Sequence, residues 1–153
     1  MEPSPTWRHN VIRGRIEKLL GSFVKTHGLG SVSVENDFRL GPDIVRNPDV
    51  AFVTSEQLNM YDMDRSPIEG TPTLAVEVIS PNNSAEAMLL KVHQYLSAGC
   101  KAVWVAYPVL RLVAVHTAEG MHEFRGHLEE AELFGGRKFS LDLEYVFDLD
   151  LTK

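Results

Sequence analysis

Only one cysteine, Cys100, stands among the 153 residues. That excludes an internal disulfide and a cysteine-built zinc cluster, and makes a reducing cytoplasm the expected home. Long hydrophobic runs are missing as well. None approaches the ~18 residues a membrane helix needs, and the opening MEPSPTWRHN holds no apolar stretch of the signal-peptide kind. Internal repeats, low-complexity tracts and a long linker are absent too, so one domain over residues 1–153 is expected. Positive charge is in short supply. A formal charge of -6 argues against tight non-specific binding of nucleic acid by a broadly basic face. It leaves room for a local basic patch or a bound metal. There is no glycine-rich phosphate loop and no GxSxG elbow. The word MHEFRGH matches a zinc HExxH only loosely. Its second histidine, His127, comes one residue late, and Gly126 suits a turn better than a helix, so zinc is discounted.

What is present supports a core, since 44% of residues are hydrophobic. Ile12, Ile16, Leu19, Leu20, Phe23 and Val24 recur at helical spacing and predict a helix over about residues 6–27. Ser4 or Thr6 would cap it and Gly28 would end it. SVSVENDFRL alternates at Val32 and Val34 as a strand does, and residues 41–43, GPD, read as a turn. DVAFV, residues 49–53, reads as a second strand. Residues 55–72 are polar, broken by Pro67, Gly70 and Pro72, and read as a surface loop. LAVEVIS is a third strand. Ser84 and its neighbours then start a helix over about 85–98, with Leu89, Val92 and Leu96 expected inward and Gly99 as its stop. AVWVAY and LVAVHT read as paired strands turning at Pro108, with a short strand near 122–124. The tail SLDLEYVFDL reads as a short helix with Leu143, Val146 and Phe147 inward. Helix, strands, helix, strands make an α/β layer around a mixed sheet.

Glu77 is the residue out of place. It sits inside LAVEVISP, an apolar run that reads as a buried strand. A buried carboxylate needs a cation or good hydrogen bonds to replace its lost hydration. Asp49 opens the neighbouring strand in RNPDVAFV. Two carboxylates on adjacent strands can converge on a hard divalent cation such as magnesium. Lys91, on the helix that follows the Glu77 strand, has the reach to orient a water or steady a phosphate there. Against this stand the plainer readings: a structural ion pair for Glu77, a turn for NPD, a solvated helix lysine for Lys91. Pro42-Asp43 is a second PD, but it follows glycine and reads as turn chemistry. Tyr95 reads as packing, His9 as a surface histidine, Cys100 as a buried thiol, and Glu17 and Glu35 as weaker candidate ligands. Arg8, Arg15 and Lys18 share one helix face that could meet DNA or simply water.

These words come in an order that resembles the PD-(D/E)XK nuclease superfamily, and more closely its Uma-type putative restriction endonuclease family. The residues that carry the resemblance are Arg46, Asp49-Val50, Glu77 to Pro81, Lys91 with Tyr95 four residues on, Gly99 and Trp104. Together they span about residues 9–117. The resemblance implies a restriction-endonuclease-like fold, a mixed central sheet flanked by helices. It implies Mg2+ or Mn2+ held by Asp49 and Glu77 with a backbone carbonyl beside Glu77, and hydrolysis of DNA phosphodiester bonds. Lys91 would then serve as the motif lysine. A homodimer is plausible for cutting both strands, with an apolar edge near Val103 to Val115 as one place for it. The chain departs from the superfamily motif at Ile79, where a lysine is usual, and from the family pattern at Ala87 and Tyr107, where aspartates are common. Those departures keep open an alternative: a catalytically inactive nuclease-fold module for binding or assembly.

Overall fold

The computed structural model describes residues 4–149. Helix α1 (Trp7–Thr26) forms where the apolar stripe predicts it. The Thr6 hydroxyl accepts the His9 backbone N–H at 3.1 Å, satisfying one of the free donors of the first turn. At the other end Gly28 takes the left-handed conformation, φ +61°, that lets the chain leave the helix. Strand β1 (Gly30–Val34) follows, then a hairpin of β2 (Phe38–Gly41) and β3 (Ile44–Arg46). Strand β4 (Val50–Thr54) leads into a short helix α2 (Ser55–Met60). Strand β5 (Leu74–Val78), helix α3 (Ala85–Ser97) and strand β6 (Ala102–Tyr107) make a crossover unit. Strands β7 (Leu112–Thr117) and β8 (Gly120–Phe124) return as hairpins. β9 (His127–Glu130), β10 (Phe139–Asp142) and α4 (Leu143–Phe147) complete the described chain.

The main sheet has six strands in the order β1-β4-β5-β6-β7-β8. Only β5 and β6 run parallel; every other neighbouring pair is antiparallel. Parallel neighbours cannot be joined by a tight turn, so α3 carries the chain back across one face. The pleat sorts β5 between two cores. Leu74, Val76 and Val78 join the α1 stripe of Ile12, Ile16, Leu20 and Val24. Ala75 points the other way, into Met88, Val92, Tyr95, Val103 and Val105. Successive residues of a strand alternate faces, so Glu77 shares the α3 side with Ala75. A third cluster, Phe38, Ala51, Val53 and Ile68, covers the same side of β4.

Several expectations need correction. The inner face of α3 is Met88, Val92 and Tyr95, while Leu89 is 49% exposed. Apolar residues surround this helix on most sides, so hydrophobicity alone leaves its rotation open, and packing on Ala75, Val103 and Val105 sets it. The loop at 55–72 contains α2, started by a capping box: Thr54 Oγ1 accepts the Gln57 N–H at 3.1 Å and Gln57 Oε1 accepts the Thr54 N–H at 2.9 Å. Strands β3, β9 and β10 are additions to the expected list. Val103 and Val115 are buried in internal strands, so the sheet edges are β1 and β8, and no apolar edge lies there. Whereas Arg8 is exposed, Arg15 is half-buried. It donates to Tyr145 O at 2.7 Å and to Asp148 O, closing the end of α4, and its guanidinium lies 4.8 Å from the centre of the Tyr145 ring. Among the described residues no helix is long and apolar enough to cross a membrane.

Candidate active site

Register brings the two carboxylates together. In the antiparallel β4–β5 ladder Val50 lies opposite Val76, and Ala51 opposite Ala75. Continuing that register by one residue sets Asp49 opposite Glu77. Regular pairing stops at Val50, so the edge of β5 beyond it has no strand to bond. Ile79 donates its N–H to Ala106 O of β6 at 2.9 Å. Strand N–H groups alternate sides, so the Val78 N–H points toward β4. Asp49 fills the gap with its side chain: Oδ2 accepts the Val78 N–H at 2.7 Å.

Glu77 is 4% exposed and makes no direct ion pair among the described residues. Burial pushes its acid up to about 7, and the charge of Asp49 adds to the rise. Three groups pull the other way: the Lys91 ammonium, the Tyr95 hydroxyl and the Arg46 guanidinium. Tyr95 donates its O–H to Glu77 Oε1 at 3.3 Å. It stands one turn beyond Lys91 on α3, so one helix face delivers both groups to the end of β5. Burial, with the Glu77 charge added, holds the Tyr95 phenol well above its ordinary value. Arg46 arrives from β3 and donates its Nε–H to Gln94 Oε1 of α3 at 2.7 Å.

His9 is the residue the sequence reading misplaced. It is buried, and its Nε2 lies 3.2 Å from Asp49 Oδ2. The hydrogen bond to Asp49 raises the imidazole above its ordinary value, against the opposing effect of burial. A signal for this was present: His9 stands three residues before Ile12 and extends the buried stripe of α1 by one turn. Tyr95 likewise packs as expected but also reaches the carboxylate. Glu35 is drawn off by Arg13, whose Nη1 lies 2.6 Å from Glu35 Oε1. Among the described residues no three His, Cys, Asp or Glu side chains gather into a metal-holding group, so neither Glu17 nor Glu35 completes one. Asp43 sits exposed in the β2–β3 turn, apart from the pair. Cys100 is buried, its thiol pushed up to about 12 by that burial. His122 and Glu123 lie on β8 and His127 on β9, with Gly126 between the strands at φ +76°, so no HExxH helix exists.

The donor set can be judged from its chemistry. It offers two carboxylates, both all-oxygen donors, and one of them is hard to ionise because it is buried beside the other. Magnesium and manganese suit oxygen, and magnesium commonly takes only one or two protein carboxylates while keeping waters and substrate phosphate oxygens. The pair fits such an ion. It does not resemble the nitrogen- and sulfur-rich set of a structural zinc site.

Comparison with known proteins supplies the family. No curated protein matches the chain in sequence. A crystal structure described as a putative nuclease belonging to DUF820, from Anabaena variabilis ATCC 29413, superposes with a TM-score of 0.81. The match covers 96% of this chain and 84% of that one at 17% sequence identity, which establishes a shared fold. The family model described as Uma2, putative restriction endonuclease, matches residues 1–148. The chain belongs to the Uma2 family of putative restriction endonucleases.

Proposed function

We propose that this protein is a divalent-metal-dependent endonuclease that hydrolyses DNA phosphodiester bonds. The observation that carries the proposal is the approach of Asp49 and Glu77 across the ends of β4 and β5, within electrostatic reach of Lys91 and Arg46. Asp49 and Glu77 would hold Mg2+ or Mn2+, helped by a backbone carbonyl next to Glu77. Bound there, the ion would offset charge developing on the phosphate and acidify an attacking water.

The remaining chemistry belongs to the chain. Burial and the Asp49 charge keep Glu77 reluctant to ionise, so the site gains most when a cation arrives. Tyr95 fixes one Glu77 oxygen. Lys91 would steady a phosphate oxygen or orient the water. It takes over from the usual motif lysine, whose place Ile79 holds. That exchange is supported by the Lys91 charge, which draws the Glu77 acid down. Arg46, tied to Gln94, and exposed Arg8 give the strand ends a local positive border despite the net charge of -6. Cutting both strands of a duplex would use two copies of the chain in a symmetric pair.

Calorimetry with Mn2+ tests the proposal, on the wild type, Asp49→Ala and Glu77→Ala. We expect one ion per chain, lost in both variants. Absence of binding by the wild type, with short duplex DNA present, would refute the metal site. The second reading, a nuclease-fold module without catalysis, draws on Ile79 and Ala87. It predicts that no variant at Asp49, Glu77 or Lys91 changes the fate of a phosphodiester bond.

A further inference from the structure

We infer that His9 is a positioning residue for this site: it locks Asp49 so that Oδ1 is the oxygen offered to the cation. The inference rests on the metal-binding reading above and extends it to a residue on another element. Asp49 Oδ2 receives two donors, the Val78 N–H at 2.7 Å and His9 Nε2 at 3.2 Å. A carboxylate oxygen has two lone pairs in its plane. Both are engaged on Oδ2, so an additional ligand is directed to Oδ1. Two donors on one oxygen also oppose rotation of the carboxylate about its Cβ–Cγ bond. The contact needs only a hydrogen on Nε2, which both the neutral Nε2–H tautomer and the cation provide. His9 Nδ1 is buried without a hydrogen-bond partner, so Nε2 is the nitrogen that carries the role.

The helix that carries the imidazole is itself anchored. The His9 backbone N–H is tied to the Thr6 cap. One turn on, Ile12 and then Ile16 pack with Val50, Val76 and Val78, the strands that bear the two carboxylates. Helix α1 therefore acts as a strut whose height against the sheet is set by its apolar stripe. On the solvent side His9 also lines an apolar cleft of about 490 Å³ with Arg8, Ile79, Pro81, Tyr107 and Leu110. Groups that orient a metal ligand from behind commonly contribute about 10–100-fold to metal affinity.

Two polar variants separate position from mere polarity. A glutamine amide nitrogen can stand near the place of Nε2, whereas an asparagine amide nitrogen stands near that of Nδ1. Mn2+ titration by calorimetry on the full chain should give His9→Gln within about 3-fold of wild type. His9→Asn should bind about 10–100-fold more weakly. Thermal melting without metal accompanies each titration. A structural role alone would lower the melting temperature of both variants alike and leave Mn2+ affinity untouched. That outcome, or an equal loss of affinity in both variants, overturns the inference. Should His9→Asn melt too low to titrate, His9→Ala takes its place: a loss of about 10–100-fold beside wild-type-like His9→Gln supports the inference, and wild-type-like affinity in His9→Ala, or a loss of about 10-fold in His9→Gln, overturns it. If the wild type binds Mn2+ and His9→Asn binds it equally well, the role of His9 falls while the metal site stands. If the wild type binds no Mn2+, both fall.

Discussion

Replacing Glu77 by glutamine should stabilise the metal-free protein, and by more as the pH rises. The folded chain keeps the Glu77 proton up to about pH 7, whereas the unfolded chain releases it near the ordinary value of 4.5. The sign follows from proton counting. Between those two values the folded state holds more protons than the unfolded one, so rising pH removes stability. The contribution is complete below about 4.5 and is lost as the pH passes through about 7. Converted at ~1.4 kcal/mol per pKa unit, the whole effect is about 3–4 kcal/mol, and about 2–3 kcal/mol of it falls between pH 5 and pH 8. The substituted glutamine has no such proton to lose, and its amide oxygen can still accept from Tyr95. Urea unfolding with a chelator present, at pH 5 and pH 8, gives the difference between Glu77→Gln and wild type directly. His9 titrates in both chains, so its effect largely cancels. The advantage of Glu77→Gln should grow by about 2–3 kcal/mol across that range. A difference that stays flat would refute the reasoning, because it would mean the Glu77 acid is ordinary in the folded state. Added Mn2+ at pH 8 should then reverse the order, stabilising the wild type by mass action and leaving the variant unchanged.

Three further outcomes are expected. Lys91→Ala should slow cleavage of DNA more than it weakens Mn2+ binding, and a variant that cuts as fast as wild type would remove Lys91 from the reaction. Arg15→Ala should cost about 1–3 kcal/mol in urea unfolding, through lost charge-assisted hydrogen bonds to Tyr145 O and Asp148 O. It should leave DNA affinity unchanged; a large affinity loss would mean that Arg15 serves the substrate and not α4. Gly30→Ala should destabilise the fold by about 3 kcal/mol or more, because a Cβ there would come within 2.0 Å of Val53 O at a φ of +148°. Near wild-type stability in that variant would show that β1 can shift away from β4 at little cost.

Much of the fold can be read in the chain because local physics fixes it. The stripe from Ile12 to Val24 has the period of a helix and no other period, and Thr6 and Gly28 suit the two ends. DVAFV, LAVEVIS, AVWVAY and LVAVHT are short, apolar and bounded by turn residues, so they could hardly be anything but strands. The capping box at Thr54 and Gln57 is equally local, yet the polar, proline-broken residues around it read as loop and hide the helix it starts. Strands β9 and β10 give too little to see. Their inward residues, Leu128, Phe139 and Leu141, have meaning only once α1 is there to pack against.

The candidate site divides the same way. The sequence by itself determined which residues carry charge into apolar surroundings, and their order along the chain: Asp49 before a strand, Glu77 within one, Lys91 and Tyr95 a turn apart on a helix. Spacing along one element is a local property. Only the tertiary structure decided that Asp49 stands opposite Glu77, because strand register is a relation between distant segments. Only the structure turned α3 so that Tyr95 faces the carboxylate while Leu89 meets water. And only the structure joined His9 to Asp49. A histidine on a helix and an aspartate before a strand share no spacing that marks them as partners. Their contact is set by how deeply a row of isoleucines and a leucine lets α1 settle on the sheet.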